Sequence, residues 1–182
     1  MKKIFGLLIA ALLLVLCVMP AAEAATVEYL AKNIGGDRWQ YDYTIFNDSA
    51  TDIGALALYF GYGLYDELDV LSAPSDWVAE FWDPELVMGL ETPGEVVVFA
   101  SDMLLLPTES LTGLSVVFNW LGNGKPGFQA FDLLDLDSGL PLDGGTGLTV
   151  AAVPEPGTLS LFGVGLAGLV AYHRIRKAGK HQ

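Results

Sequence analysis

Cysteine is nearly missing from this chain. Cys17 is the only one, and it lies in the first apolar run. Leu16 stands where lipoprotein processing calls for a small residue, so Cys17 is not read as a lipidation site. Beyond residue 24 the chain has no disulfide staple and no thiolate for zinc. Histidine is as scarce: His173 and His181 both lie within residues 173–182. That removes a Ser–His–acid set and a histidine zinc site from the middle of the chain. Bases are also rare there. Of 22 acids, all but Glu23 and Glu155 fall between residues 25 and 152, against only Lys32, Arg38 and Lys125, a formal charge of −17. Such an excess repels nucleic acid and acidic polymers. A glycine-rich phosphate loop ending in Lys-Ser/Thr is missing too. No catalytic set, metal site or cofactor is expected, and the chain is read as non-enzymatic.

What the chain does have begins with a leader. Met1-Lys2-Lys3 is followed by an apolar stretch from Ile4 to Met19 and by Pro20-Ala21-Ala22-Glu23-Ala24. A short positive start, an apolar run and small residues at Ala22 and Ala24 define a secretory signal peptide cut after Ala24. Residues 1–24 are therefore expected to engage the Sec translocon and signal peptidase, the alternative being an uncleaved anchor.

Residues 25–152 alternate in the manner of strands. Trp39, Tyr41, Tyr43 and Ile45 share one face, with Gln40, Asp42 and Thr44 on the other. Leu114, Val116, Phe118 and Trp120 repeat the pattern. Further strands are expected at Thr26–Ala31, Ile53–Phe60, Tyr65–Leu71, Trp77–Trp82, Glu95–Ala100 and Phe128–Leu133. Turns are expected at 33–37, 47–50, 73–77, 91–94 and 122–127. Met103–Pro107 begins a strand or covers an open end of the core. Ser138–Val150, rich in glycine and threonine, reads as a loop whose end, Thr149–Ala152, is an edge strand or a tether. The fold class is all-β: a two-sheet antiparallel sandwich of about 7–8 short strands, flanked by a signal-peptide helix and a C-terminal transmembrane helix.

Candidate binding residues are aromatic. Trp39 and Trp120, on alternating strands, read as core. Trp77 and Trp82, beside prolines and loops, read as an exposed pair able to stack on sugar rings together with Tyr62 and Tyr65. Asp132, Asp135, Asp137 and Asp143 cluster near glycines and offer hard oxygens for calcium, but the twelve-residue calcium-loop pattern is not met. A solvated acidic loop is the plainer reading. Carboxylate pairs for glycosidic chemistry follow from composition alone, and none is singled out.

The last thirty residues read Val153-Pro154-Glu155-Pro156-Gly157-Thr158, an apolar segment to Tyr172, and a basic tail over 173–182 with Arg174, Arg176, Lys177 and Lys180. An apolar run closed by bases is a stop-transfer pattern. The uncharged stretch 157–172 makes about 24 Å of helix at 1.5 Å per residue, short of the roughly 30 Å hydrocarbon layer. Snorkelling bases and local thinning can accommodate that difference. Pro154 and Pro156 hold an extended approach with Glu155 accessible.

This order of parts closely resembles the PEP-CTERM sorting signal of exported bacterial proteins, with Val153–Pro156 as its motif, 158–172 as its apolar helix and 173–182 as its basic end. Gly157 stands where serine is frequent. The resemblance implies recognition and cleavage by exosortase, a membrane-embedded cysteine transpeptidase-like enzyme, in a Gram-negative bacterium that makes exopolysaccharide. It also implies a membrane-anchored intermediate and a final place at the cell surface or in the extracellular matrix. Trp39–Asn47, Pro74–Trp77 and Leu111–Leu114 look like the β-sandwich cargo of such proteins, which brings no defined activity. The function expected is that of a surface or matrix protein. The alternative is a carbohydrate-binding module for exopolysaccharide, and a polysaccharide-active enzyme comes after it.

Overall fold

The structure is a computed structural model that describes residues 25–152. The leader and the sorting segment, with the helices expected for them, lie outside the described residues. Twelve strands form in order: β1 (Thr26–Gly35), β2 (Arg38–Phe46), β3 (Ala55–Phe60), β4 (Tyr65–Ser72), β5 (Trp77–Trp82), β6 (Glu85–Val87), β7 (Leu90–Thr92), β8 (Gly94–Ala100), β9 (Ser110–Trp120), β10 (Ala130–Leu134), β11 (Pro141–Leu148) and β12 (Val150–Ala151). The first sheet runs β12-β1-β2-β9-β4, the second β11-β10-β3-β8-β5, and β6-β7 is a separate hairpin. The domain is thus all-β, and the expected seven or eight strands become twelve in three sheets. All pairings are antiparallel except β12 against β1.

Alternation places the core. Tyr41, Tyr43 and Ile45 of β2 and Leu114, Val116 and Phe118 of β9 turn inward to meet Leu56, Leu58 and Phe60 of β3 and Val96 and Val98 of β8. Tyr41 packs edge-on to Phe118 at a centroid separation of 5.0 Å and stacks on Tyr29 at 4.5 Å. Trp39 and Trp120 pack at the margin of this cluster. Among the described residues, buried side-chain polar atoms are satisfied in a connected set, except for the Trp120 indole N–H, which has no partner. The Tyr43 hydroxyl donates to Gln129 Oε1 (3.1 Å), Gln129 Nε2 donates to the Tyr65 hydroxyl (3.0 Å), and Tyr41 donates to the Pro126 carbonyl (2.7 Å). A core without disulfides is tied across its two sheets in this way.

Three expectations are corrected. Glu91 and Thr92, expected in a turn over 91–94, belong instead to strand β7 (Leu90–Thr92). Its hairpin with β6 turns at Met88 and Gly89, both with positive φ (52° and 82°), the geometry of a tight two-residue hairpin turn. Residues 141–148, read as loop, are strand β11 on β10. The turn over 33–37 is shorter, because β1 continues to Gly35. Met103–Pro107 makes a single bridge, Leu105 to Ile53, and Leu105 is buried over the core. Val150–Ala151 takes the edge-strand alternative.

Gly94 shows how tightly β8 enters the sandwich. A Cβ there would lie 2.6 Å from Pro84 Cδ and 2.7 Å from a Leu68 methyl. Gly94→Ala is expected to lower stability by about 1–3 kcal/mol through overpacking. The reading is a lower urea midpoint with an unchanged slope.

Candidate functional site

The outward faces of the two sheets differ in chemistry. On the first sheet the outward side chains of β2 are Gln40, Asp42 and Thr44, and the first two are tied to polar neighbours. Gln40 Nε2 and Ser115 Oγ both donate to Asp42 Oδ1 at 2.8 Å. Arg38 donates to Glu67 at 3.3 Å and Asn119 to the same carboxylate at 2.9 Å. Part of this face's hydrogen-bonding capacity is thus used within the face itself.

The outward face of the second sheet is apolar and aromatic. The registers of β5, β8, β3, β10 and β11 align three rows across it. One row is Trp82, Glu95, Tyr59, Ala130 and Leu148. The next is Glu80, Val97, Ala57, Asp132 and Thr146, and the third is Val78, Phe99, Ala55, Leu134 and Pro141. Ala57 and Ala55 are buried even though they point away from the core, because larger neighbours close over them. Trp82 is 53 % exposed at the β5 edge. It lies two strand spacings from Tyr59, roughly 10 Å.

Polar groups are set among these surfaces. The Tyr59 hydroxyl donates to Asp132 Oδ2 at 3.0 Å. Burial, then that bond and the charges of Asp132 and Glu95, push the tyrosine up to about 12. Glu95 is itself raised, first by desolvation and then by Asp132. Across the face, Trp82 and Tyr59 thus flank one carboxylate, and Tyr59 reaches a second.

The four aromatic candidates separate. Trp82 and Tyr62 are exposed, at the same end of the sandwich. Trp77, expected beside Trp82 at the surface, is instead 7 % exposed and part of the core. The reason is parity: five positions along a strand put Trp77 and Trp82 on opposite faces. Tyr65 is buried too, edge-on to Phe60, Phe118 and Trp120 and hydrogen-bonded by Gln129. Of the four aspartates, Asp132 serves Tyr59. Asp135 Oδ1 accepts from the Ser138 hydroxyl and backbone N–H, each at 2.7 Å, which holds its carboxyl below the usual range. Among the described residues no three acids, histidines or cysteines converge as a metal would need.

Of the groups brought together here, the sequence offers Asp132 only as an oxygen donor for calcium and does not point to Glu95. The signal available was β8: Val96-Val97-Val98-Phe99 is apolar at consecutive positions, which means a strand covered on both sides. Its outward half is this face.

No curated protein matches the chain. Among solved structures it is similar to the carbohydrate-binding module CBM3b of cellobiohydrolase 9A from Clostridium thermocellum (12% identity, TM-score 0.43, covering 65% of this chain and 94% of that one). It is also similar to a family 3b carbohydrate-binding module from the biomass sensoring system of Clostridium clariflavum (10% identity, TM-score 0.42, 74% and 99%). A third likeness is to a GH20 exo-β-N-acetylglucosaminidase from Vibrio harveyi (12% identity, TM-score 0.36), in which 72% of this chain covers 19% of the enzyme. Scores below 0.5 transfer neither ligand nor activity. The sorting segment stands differently, since a family model matches it directly and marks the protein for export to the cell surface. Residues 152–177 are a PEP-CTERM protein-sorting motif.

Proposed function

We propose that this is a non-enzymatic exported protein whose sandwich binds a neutral polysaccharide across the outward face of its second sheet. Export begins with the Sec translocon and signal peptidase acting at Ala22–Ala24. The apolar run 158–172 and the bases Arg174, Arg176, Lys177 and Lys180 hold the protein at the membrane until exosortase acts at Val153–Pro156. The released domain then joins the surface or matrix.

One observation carries the ligand: the face with Trp82 and Tyr59 in line and Glu80, Glu95 and Asp132 between the apolar side chains. Pyranose rings offer C–H faces to aromatic rings and hydroxyls to carboxylates and phenols. An open sheet face suits an extended chain, whereas small ligands are taken into concavities. The formal charge of −17 disfavours anionic polymers. Trp82 and Tyr59 are separated by about two pyranose residues of an extended chain.

The test is retention of the full chain, in detergent, on insoluble neutral polysaccharides and on host exopolysaccharide. Trp82→Ala should weaken retention about tenfold or more, equivalent to about 1.4 kcal/mol, and leave the urea midpoint unchanged because the side chain lies outside the core. Equal retention of the variant would remove this face as the site. Release of reducing ends would instead favour catalysis by Glu95 and Asp132.

A further inference from the structure

The chain contains four asparagines, Asn33, Asn47, Asn119 and Asn123, and the fold treats one of them differently. Asn33 spans the β1–β2 turn, its Nδ2 donating to the Gly36 carbonyl (2.9 Å) and its Oδ1 accepting from the Gly35 N–H (3.1 Å). Asn119 Nδ2 donates to Glu67 (2.9 Å), and its Oδ1 accepts from Arg38 (3.2 Å). Asn47 is fully buried, with Nδ2 donating to the carbonyls of Thr51 and Leu105 and Oδ1 accepting from Ser49. Asn123 is exposed, and its side chain makes no hydrogen bond among the described residues.

Asn123 is also the one followed by glycine. Gly124 lies in the 121–129 loop between β9 and β10, in the left-handed region with φ 75°, and a Cβ there would meet nothing within 4 Å. Its N–H donates to no backbone carbonyl among the described residues. The loop is pinned on both sides of this stretch. Leu121 N–H donates to the Leu64 carbonyl (2.9 Å), and Gly122 lies flat on the Trp120 ring, which a Cβ would overlap. Further on, the Pro126 carbonyl accepts from the Tyr41 hydroxyl (2.7 Å). Residues 123–125 are the open part, all three exposed. Positive φ favours glycine at 124, and so leaves an unshielded amide nitrogen beside a free side-chain amide.

We propose that Asn123-Gly124 is a site of spontaneous covalent modification, at which the asparagine converts to isoaspartate and aspartate. The Gly124 nitrogen attacks Asn123 Cγ and gives up its proton as the new C–N bond forms. The Cγ–Nδ2 bond breaks, ammonia leaves, and a cyclic imide remains. Water then opens the imide. Cleavage at Cγ gives aspartate with the original main chain, whereas cleavage at the α-carbonyl routes the main chain through Cβ and gives isoaspartate. Either product adds a carboxylate near Lys125, one of only three bases in residues 25–152. Isoaspartate also adds a methylene to the loop whose Pro126 and Gly127 carbonyls receive the Tyr41 hydroxyl. The other three asparagines must first break hydrogen bonds, and Ile34, Asp48 and Trp120 set a Cβ beside the attacking nitrogen.

The test ages the full chain in detergent, folded and in urea, in the same mildly alkaline buffer. Peptide mapping by mass, with isoaspartate-directed methylation, follows each asparagine. In the folded chain Asn123 should convert about tenfold or more faster than Asn33, Asn47 or Asn119, because each 1.4 kcal/mol spent on freeing a side chain slows it tenfold. Urea should speed Asn47 and leave the rate at Asn123 within about twofold of its folded value. Asn123→Gln keeps an amide but needs a larger ring, so conversion in the loop peptide should cease. A smaller lead for Asn123 in the folded chain overturns the site, as does conversion that persists in Asn123→Gln. Folding that slows Asn123 by more than twofold also overturns it, because the loop would then withhold the Gly124 nitrogen.

Discussion

Asn47→Asp should be the most damaging single-atom-scale change in the domain, lowering stability by about 3–5 kcal/mol near neutral pH. Asn47 is fully buried. Its amide Nδ2 donates to the carbonyls of Thr51 and Leu105, both at 2.9 Å, while Oδ1 accepts from the Ser49 N–H (3.1 Å) and hydroxyl (2.6 Å). Its backbone is used as well, donating to the Glu109 carbonyl (2.9 Å) and accepting from Thr108 N–H (2.7 Å). One side chain therefore closes the 47–51 turn and binds it to the 105–109 segment.

Aspartate at this position removes both donors and sets a carboxylate against two carbonyl oxygens. Burial and those dipoles raise its folded pKa above the unfolded value of about 3.9. The native variant then binds more protons than the unfolded one, so its penalty grows as pH rises through the carboxylate range. Near pH 4 the protonated acid can donate to one carbonyl, and part of the loss should return. Asn47→Ala should cost about 2–4 kcal/mol by leaving the carbonyls without partners, with no such pH dependence relative to the parent. Urea unfolding of the three proteins at pH 4 and pH 7 measures both effects. Equal penalties for Asn47→Asp at the two pH values would show that its carboxylate escapes to water.

Asn47 also shows what could be read before the fold was known. Its turn was legible from Asn47-Asp48-Ser49-Ala50, but the partner segment was not, because Leu105 lies 58 positions away. The alternating strands Trp39–Ile45 and Leu114–Trp120 were legible because half-burial writes itself into sequence at period two. β11 was not. Pro141-Leu142-Asp143-Gly144-Gly145-Thr146-Gly147 has the composition of a loop, yet its glycines answer to packing. A Cβ on Gly147 would lie 2.9 Å from the Phe131 ring, and one on Gly145 2.9 Å from the Leu133 carbonyl. Glycine lets this edge strand lie close against β10, and composition cannot distinguish that use from flexibility.

The candidate binding face was half legible for a related reason. Trp82 was noticed as an aromatic residue near a turn, but exposure in a strand is set by parity and by the neighbouring strand. Trp77 and Trp82 are similar in composition and flanks, and only the five-residue separation divides core from surface. Tyr59, Glu95 and Asp132 belong to three strands that become neighbours through non-local pairing, β3 joining β8 and β10. The address segment needed no such pairing. Val153–Pro156, the apolar run and the bases are contiguous, which is why destination was readable where the ligand was not.

Alkali should unfold the domain from within. Desolvation raises the phenols of Tyr29, Tyr41, Tyr43 and Tyr65, the fully buried Tyr43 well above its ordinary value; Tyr41, Tyr43 and Tyr65 are raised further by the charge of neighbouring tyrosines. An unfolded tyrosine loses its proton near pH 10. Above that pH the native state holds protons that the unfolded state has released, so the contribution is complete below pH 10 and lost as pH rises towards the folded values. Tyr43 alone steepens this loss by about 1.4 kcal/mol per pH unit, and the other three act in the same direction. Urea midpoints should therefore change little on this account between pH 8 and 9.5 and fall steeply beyond pH 10. Tyr43→Phe deletes the buried proton, so its profile should be flatter above pH 10. It should also be less stable at pH 8, because Gln129 Oε1 loses its 3.1 Å donor and keeps only the longer 3.3 Å bond from Thr149. Gln129→Leu combined with Tyr43→Phe should then cost less than the sum of the two changes, since removing both partners leaves fewer orphaned groups than removing either one. A parent profile that stays level to pH 11, or a Tyr43→Phe profile as steep as the parent's, would mean that the tyrosine cluster ionises without leaving the fold.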